Sequence, residues 1–144
     1  MLFRSWKAQS KIPLIAITGS NGKTTTKEMV GSIVASHLKG KKKLLITQGN
    51  FNNDIGLPLT LMRLNQQHQL AVIELGMNHP GETKQLADIA GADIALINNA
   101  QREHQEFMVN VEAVAKEHAL AIQALPAHGV AVDRKSTRLN SSHT

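Results

Sequence analysis

The residues Ile12-Pro13-Leu14-Ile15-Ala16-Ile17 run through Thr18 into Gly19-Ser20-Asn21-Gly22-Lys23-Thr24-Thr25, and a segment with helical spacing follows. A buried strand that turns this tightly into a helix points to an α/β chain with a mostly parallel sheet. The chemistry of the turn narrows the reading further. Glycines let backbone N–H groups close around phosphate oxygens, a lysine reaches the terminal phosphates, and a hydroxyl at Thr24 can ligate magnesium. The following helix aims its positive end at the same anion. The stretch therefore implies a phosphate-binding loop for ATP or GTP. It departs from the general G-x-x-x-x-G-K-[ST] pattern, because Ile17 stands where the first glycine belongs. The alternative is a plain tight turn.

Strand and helix signals alternate along the chain. Short apolar runs predict strands over Ile12–Thr18, Leu44–Thr47, Leu70–Leu75 and Ile94–Asn98, with a fragment at Gly129–Val132. Such runs suit strands buried on both faces. Helices are expected over Lys23–Leu38, from Pro58 to Arg63, over Glu82–Ala90 and over Val111–Leu125. In the first of these the apolar spacing picks out Met29, Val30, Ile33, Val34 and Leu38. In the last it picks out Val111, Val114, Ala115, His118, Ile122 and Leu125.

A chain of 144 residues suits one core. With no cysteine there is no disulfide framework, thiolate metal site or thiol nucleophile. No apolar run approaches the roughly 20 residues that span a bilayer, and residues 1–7 lack a signal-peptide core, so no membrane insertion and a cytoplasmic setting are expected. The net charge of +5 invites a nucleic-acid reading. Its densest run, Lys39-Gly40-Lys41-Lys42-Lys43, is better explained as a solvated loop between helix and strand, so no nucleic-acid partner is expected.

In an open α/β sheet, ligands collect beyond the carboxyl ends of the strands. The exits predicted here carry the phosphate loop, then Gln48-Gly49-Asn50-Phe51-Asn52-Asn53-Asp54, then Glu74 with Gly76-Met77-Asn78-His79, then Asn98-Asn99 with His104 beyond. Glu74 follows Ala71-Val72-Ile73, where a charge is costly unless paired or metal-bound. It is read as a magnesium ligand near the phosphates, or as a carboxylate escaping to water. His104 is a candidate ligand or a surface group. Lys116 is a candidate site residue or the i,i+4 partner of Glu112. Asn50, Asn52 and Asn53 are candidate ligands or turn formers.

Taken together, Ile17-Thr18-Gly19-Ser20-Asn21-Gly22-Lys23-Thr24-Thr25-Thr26, the loop Gly49 to Pro58, Val72-Ile73-Glu74-Leu75-Gly76-Met77-Asn78-His79, Asn98 to His104 and Val114-Ala115-Lys116-Glu117 resemble the Mur ligases. These are ATP-dependent amide-forming enzymes of peptidoglycan precursor synthesis. The shortened phosphate loop is the form usual in that family. Lys27-Glu28-Met29, the Asn-Phe-Asn-Asn-Asp loop and Glu-Leu-Gly-Met-Asn-His most resemble the member that joins D-alanyl-D-alanine to a UDP-MurNAc-tripeptide. The resemblance covers roughly Phe3 to Val132.

The resemblance implies a P-loop-containing, mostly parallel sheet flanked by helices, the central domain of such a ligase, here incomplete. It implies that Gly19, Ser20, Asn21, Gly22, Lys23, Thr24 and Thr25 bind ATP, that Thr24 ligates a first Mg2+, and that Glu74 and His104 lie near a second. Lys116 matches a position carbamylated in related ligases, which would make it an anionic metal ligand. Asn52 and Asn53 would lie beside the substrate carboxylate and the γ-phosphate. The implied reaction passes through an acyl phosphate, from which the amine of D-alanyl-D-alanine displaces phosphate.

Residues 1–11 are expected to be a linker or the start of the domain, and residues 12–132 the ATP-binding central domain. Residues 133–144 resemble a translated sequencing adapter and are expected to be a non-native tail. The family's N-terminal domain for the UDP-sugar substrate and its C-terminal domain are missing partners, so this polypeptide is expected to turn over little or not at all. Three other readings remain: another Mur-type ligase or a folylpolyglutamate- or cyanophycin-synthetase-like enzyme, a non-catalytic nucleotide-binding module, and a nucleic-acid binder.

Overall fold

The computed structural model describes residues 12–100 and 110–133. Five strands, β1 (Leu14–Thr18), β2 (Leu44–Ile46), β3 (Leu70–Glu74), β4 (Ile94–Ile97) and β5 (Val130–Asp133), alternate with α1 (Lys23–His37), α2 (Gly56–Leu61), α3 (Glu82–Ala90) and α4 (Val111–Gln123). The strands lie in the order β2-β3-β1-β4-β5. Every pairing is parallel. All five carboxyl ends therefore open on one edge, and the register sets Ile17 beside both Glu74 and Leu96. The expected α/β architecture is present.

Two apolar layers sandwich the sheet. One holds Leu14, Ala16, Leu45, Ala71, Ile73 and Ala95 against Leu57 and Leu61 of α2, Leu86 and Ala90 of α3, and Ala121 of α4. The other packs Ile17, Leu44 and Val72 against Val30, Val34 and Ala35 of α1. Central strands covered on both faces must be apolar at nearly every position, which is why they stand out as unbroken runs.

The differences from expectation have local causes. Ile12 and Pro13 precede β1, although the Pro13 carbonyl still accepts from the Ala71 amide at 3.0 Å. The short helix begins at Gly56, two residues ahead of Pro58, because Asn53 caps it from outside. Pro58 still falls in the first turn, where its missing N–H costs nothing. On α1 the packed stripe is only partly the one the spacing picks out: Val30 and Val34 pack on the sheet as expected. Met29 and Ile33 are 62% and 70% exposed, while Lys27 and Gly31 are buried. A side chain at Gly31 would meet Ile46 Cδ1 at 2.6 Å, so the helix rests almost directly on β2. On α4, Val111 is exposed and Glu117 is buried in its place. The Glu117 carboxylate accepts from the Gly81 and Thr83 amides at 2.7 and 3.2 Å, capping α3 from the neighbouring helix. Asp133 closes β5 opposite Ile97.

Candidate functional site

The phosphate loop spans the turn from β1 into α1. Gly19 has φ 146 and Gly22 has φ 76, conformations that disfavour any side chain. The loop is held by the exit of β4. Asn99 accepts at its side-chain oxygen from the Ser20 and Asn21 amides at 3.1 and 3.0 Å, and Asn98 and Asn99 both donate to the Asn21 carbonyl at 2.7 and 2.8 Å. Packing is close enough that a side chain at Gly22 would sit 2.9 Å from Asn98 Nδ2. Loop rigidity therefore comes from two asparagines nearly 80 residues away in the chain.

This clamp refines the expected roles. The amides of Ser20 and Asn21 are spent on Asn99, so they shape the loop. The donors facing outward are those opening α1, at Lys23, Thr24 and Thr25. No side chain caps that terminus and no acidic residue stands in its first turn. An uncapped helix start with a lysine on it presents positive charge that could hold an anion. The Lys23 ammonium folds back to donate to the Gly19 carbonyl at 2.6 Å, across the mouth of the loop.

Glu74 lies at the end of β3 and is 2% exposed. Thr24 Oγ1 donates to its Oε2 at 3.3 Å, and Asn52 Nδ2 donates to its Oε1 at 3.0 Å. The Glu74 amide donates to Thr47 Oγ1 at 2.9 Å. Lys27, 1% exposed, places its Nζ 3.7 Å from Oε2. Three separate strand exits thus converge on one buried carboxylate. It does not escape to water.

This donor set fits magnesium. Thr24 and Glu74 offer hard oxygens adjacent to an anion-binding helix terminus, and magnesium characteristically takes one or two protein oxygens plus phosphates and water. Among the described residues no cluster of three or more His, Cys, Asp or Glu could make an all-protein cage.

The other predicted residues behave differently. Asn52 joins the site, but the Asn53 side-chain oxygen accepts from the Ile55 and Gly56 amides at 3.2 and 2.7 Å and so starts α2. Lys116 is exposed on α4, and no ion pair joins it to Glu112. No hydrogen bond or ion pair joins Lys116 to Glu74 or Thr24 among the described residues. His104 lies outside the described residues. The Lys41–Lys43 run forms a single turn leading into β2, at the edge of the sheet opposite the phosphate loop.

Four contributions were not read from sequence, where Lys27 entered only through the Lys27-Glu28-Met29 resemblance: the places of Lys27 and Thr47 at Glu74, and the clamping role of Asn98 and Asn99. His118 is a fifth, buried and 2.8 Å from the Thr18 hydroxyl through its Nδ1, tying α4 to the strand that feeds the loop. For Lys27 a signal existed. It follows Thr24 by three residues and Lys23 by four, so a helix puts all three on one face. Beyond β3, Glu82 folds back onto its own turn. Burial raises its pKa, but hydrogen bonds from the Asn78 and His79 amides and the His79 ring outweigh that and hold the carboxyl below its usual range.

Comparison with known proteins shows the family and the fold. A family model described as the Mur ligase middle domain matches residues 17–139. The chain is 43% identical over 118 residues to the UDP-N-acetylmuramoyl-tripeptide–D-alanyl-D-alanine ligase of Haemophilus influenzae, covering 82% of this chain and 26% of that protein. It is 40% identical over 119 residues to the Escherichia coli enzyme of the same name, covering 83% and 25%. Among solved structures, MurF from Acinetobacter baumannii superposes with a TM-score of 0.86 at 38% identity, over 94% of this chain and 29% of that one. MurF from Thermotoga maritima in complex with ADP gives 0.79 at 31% identity, over 92% and 30%. The chain spans about a quarter of the length of the curated relatives it matches.

Proposed function

The chain belongs to the family of Mur ligase middle domains, and on that premise we propose that it is the ATP-binding part of an ADP-forming ligase joining D-alanyl-D-alanine to a UDP-MurNAc-tripeptide. The observation that carries this reading is the buried Glu74 carboxylate, reached at once by Thr24 of the phosphate loop and Asn52 of the second strand exit. A relative of the same fold holds ADP, at 31% identity.

The residues divide the work. Asn98 and Asn99 hold the loop shaped before nucleotide arrives. Lys23 exchanges its contact with the Gly19 carbonyl for the terminal phosphates. Thr24 and Glu74 hold Mg2+, which when bound offsets charge on the transferring phosphoryl group. Asn52 keeps Glu74 oriented. The substrate carboxylate then attacks the γ-phosphorus as ADP leaves, and the D-alanyl-D-alanine amine attacks the acyl carbon as phosphate leaves and a proton is lost. The chemistry needs no protein nucleophile. Lys116, carbamylated, and His104 are the proposed further metal ligands, and Asn53 stands beside Asn52 on the substrate side. The setting is cytoplasmic; no described helix is long and apolar enough to cross a membrane.

The test is an ADP-release assay on the protein encoded by the complete reading frame. Release should require both UDP-MurNAc-tripeptide and D-alanyl-D-alanine, with the 144-residue chain turning over little. Full-rate release with glutamate-type amines in place of D-alanyl-D-alanine, or with neither substrate, would refute the assignment.

A further inference from the structure

Among the described residues Lys27 is the largest side chain that is almost wholly buried, and it is not used by the chemistry above. Its Nζ lies 3.7 Å from Glu74 Oε2 and 3.4 Å from Glu28 Oε1. The two partners are unequal. Glu28 is 66% exposed, so its charge is largely screened by water, whereas Glu74 is as buried as the lysine. Glu74 is therefore the effective counter-charge. The same Oε2 that faces Lys27 receives the Thr24 hydroxyl. Lys27 thus stands at the oxygen through which Glu74 would hold a cation.

We propose that Lys27 is a positioning residue that makes divalent-cation binding at Glu74 conditional on a polyphosphate. The inference rests on the nucleotide-site reading above and deepens it. A bare divalent ion arriving at Oε2 meets a carboxylate already neutralised by a buried ammonium, and like-charge repulsion in a low-dielectric setting opposes it. A nucleotide reverses the balance. Its phosphates bring several negative charges to a place where Lys23, Lys27 and the start of α1 are all positive, so metal and nucleotide enter as a unit. Asn52 and Thr24 fix the direction of the carboxylate, and Lys27 fixes its charge balance. The consequence is that Lys27 adds its own share to the positive coupling between metal and nucleotide, beyond the direct ligation of metal by phosphate, and by linkage that share is the same whichever ligand is varied.

The experiment measures Mn2+ binding to the 144-residue chain by loss of the free-ion electron paramagnetic resonance signal, with and without ADP, each titration corrected by a protein-free one for Mn2+ held by ADP alone. The wild-type chain should bind Mn2+ weakly alone and at least a hundredfold more tightly with ADP. Lys27→Met should tighten nucleotide-free Mn2+ binding tenfold or more and shrink the ADP coupling by the same factor. Lys27→Arg, which keeps the charge, should restore the wild-type coupling. Glu74→Gln should lose nucleotide-free Mn2+ binding and weaken it in the presence of ADP, which identifies the site being read. If Lys27→Met does not fold, as judged by circular dichroism, Lys27→Gln takes its place in the same comparison. A folded neutral variant with wild-type nucleotide-free affinity and wild-type coupling overturns this inference and leaves the nucleotide site standing. A wild-type chain that binds neither ADP nor Mn2+·ADP overturns both.

Discussion

Replacing Lys23 with alanine is expected to weaken Mg·ATP binding by roughly 30- to 150-fold, measured by titration calorimetry against the wild-type chain. The estimate follows from the role of the side chain. A charge-assisted contact to phosphate in a partly buried site contributes about 2–3 kcal/mol, and about 2.7 kcal/mol corresponds to a factor of 100. The fold should survive, because Lys23 is only half-buried and, among the described residues, its ammonium donates to the Gly19 carbonyl of its own loop. The loop itself is held by Asn98 and Asn99, not by the lysine. An unchanged affinity would mean that the loop does not grip phosphate.

A single methyl group at Gly56 is expected to do the greatest structural damage. Its Cβ would lie 2.6 Å from the Phe51 carbonyl carbon and closer still to Phe51 Cα, so it strikes backbone and no rotamer change relieves it. Neither side can yield freely. The Gly56 amide is bound to Asn53 at 2.7 Å, and the Asn52 carbonyl accepts from the Gly76 amide at 2.7 Å. We expect Gly56→Ala to cost about 3 kcal/mol, lowering the unfolding midpoint by roughly 10 °C in a domain of this size. Loss of the Asn52–Glu74 hydrogen bond should accompany it. Gly49→Ala makes a suitable contrast. Nothing lies within 4 Å of a Cβ there, and only the left-handed φ of 54 opposes the change. A Gly56→Ala chain melting with the wild type would show that the loop repacks without cost.

The framework was legible because its physics is local. Central strands covered on both faces must be apolar at nearly every position, and the helices between them carry apolar stripes; both patterns are visible without coordinates, whereas β5 at the sheet edge is exposed along its length. Glu74 was legible for the complementary reason, as a charge in a run that tolerates none. What escaped detection depends on tertiary geometry. Met29 and Ile33 match the apolar spacing of α1, yet the helix turns the Lys27–Gly31 side inward because Gly31 lets it approach β2 and Glu74 supplies a counter-charge for Lys27. The capping role of Glu117 was not legible, because nothing nearby in sequence reveals that α3 lacks a side-chain cap of its own. Asn98 and Asn99 were visible as polar residues at a strand exit, but not as the clamp on a loop nearly 80 positions earlier. Asn53 illustrates the reverse ambiguity. Its turn chemistry and its ligand chemistry use the same side-chain amide, and in the structure the oxygen goes to α2.

The central claim is that Thr24 and Glu74 jointly hold a metal at the phosphates gripped by the loop. The most direct test is a crystal structure of the chain with Mn2+ and ADP, with the metal located by its anomalous signal. The account predicts one Mn2+ coordinated by Thr24 Oγ1 and a phosphate oxygen, with the Glu74 carboxylate on it directly or through one water. Lys23 Nζ should have left the Gly19 carbonyl for the phosphates. A metal bound without Thr24 or Glu74, or ADP seated away from the start of α1, would contradict it.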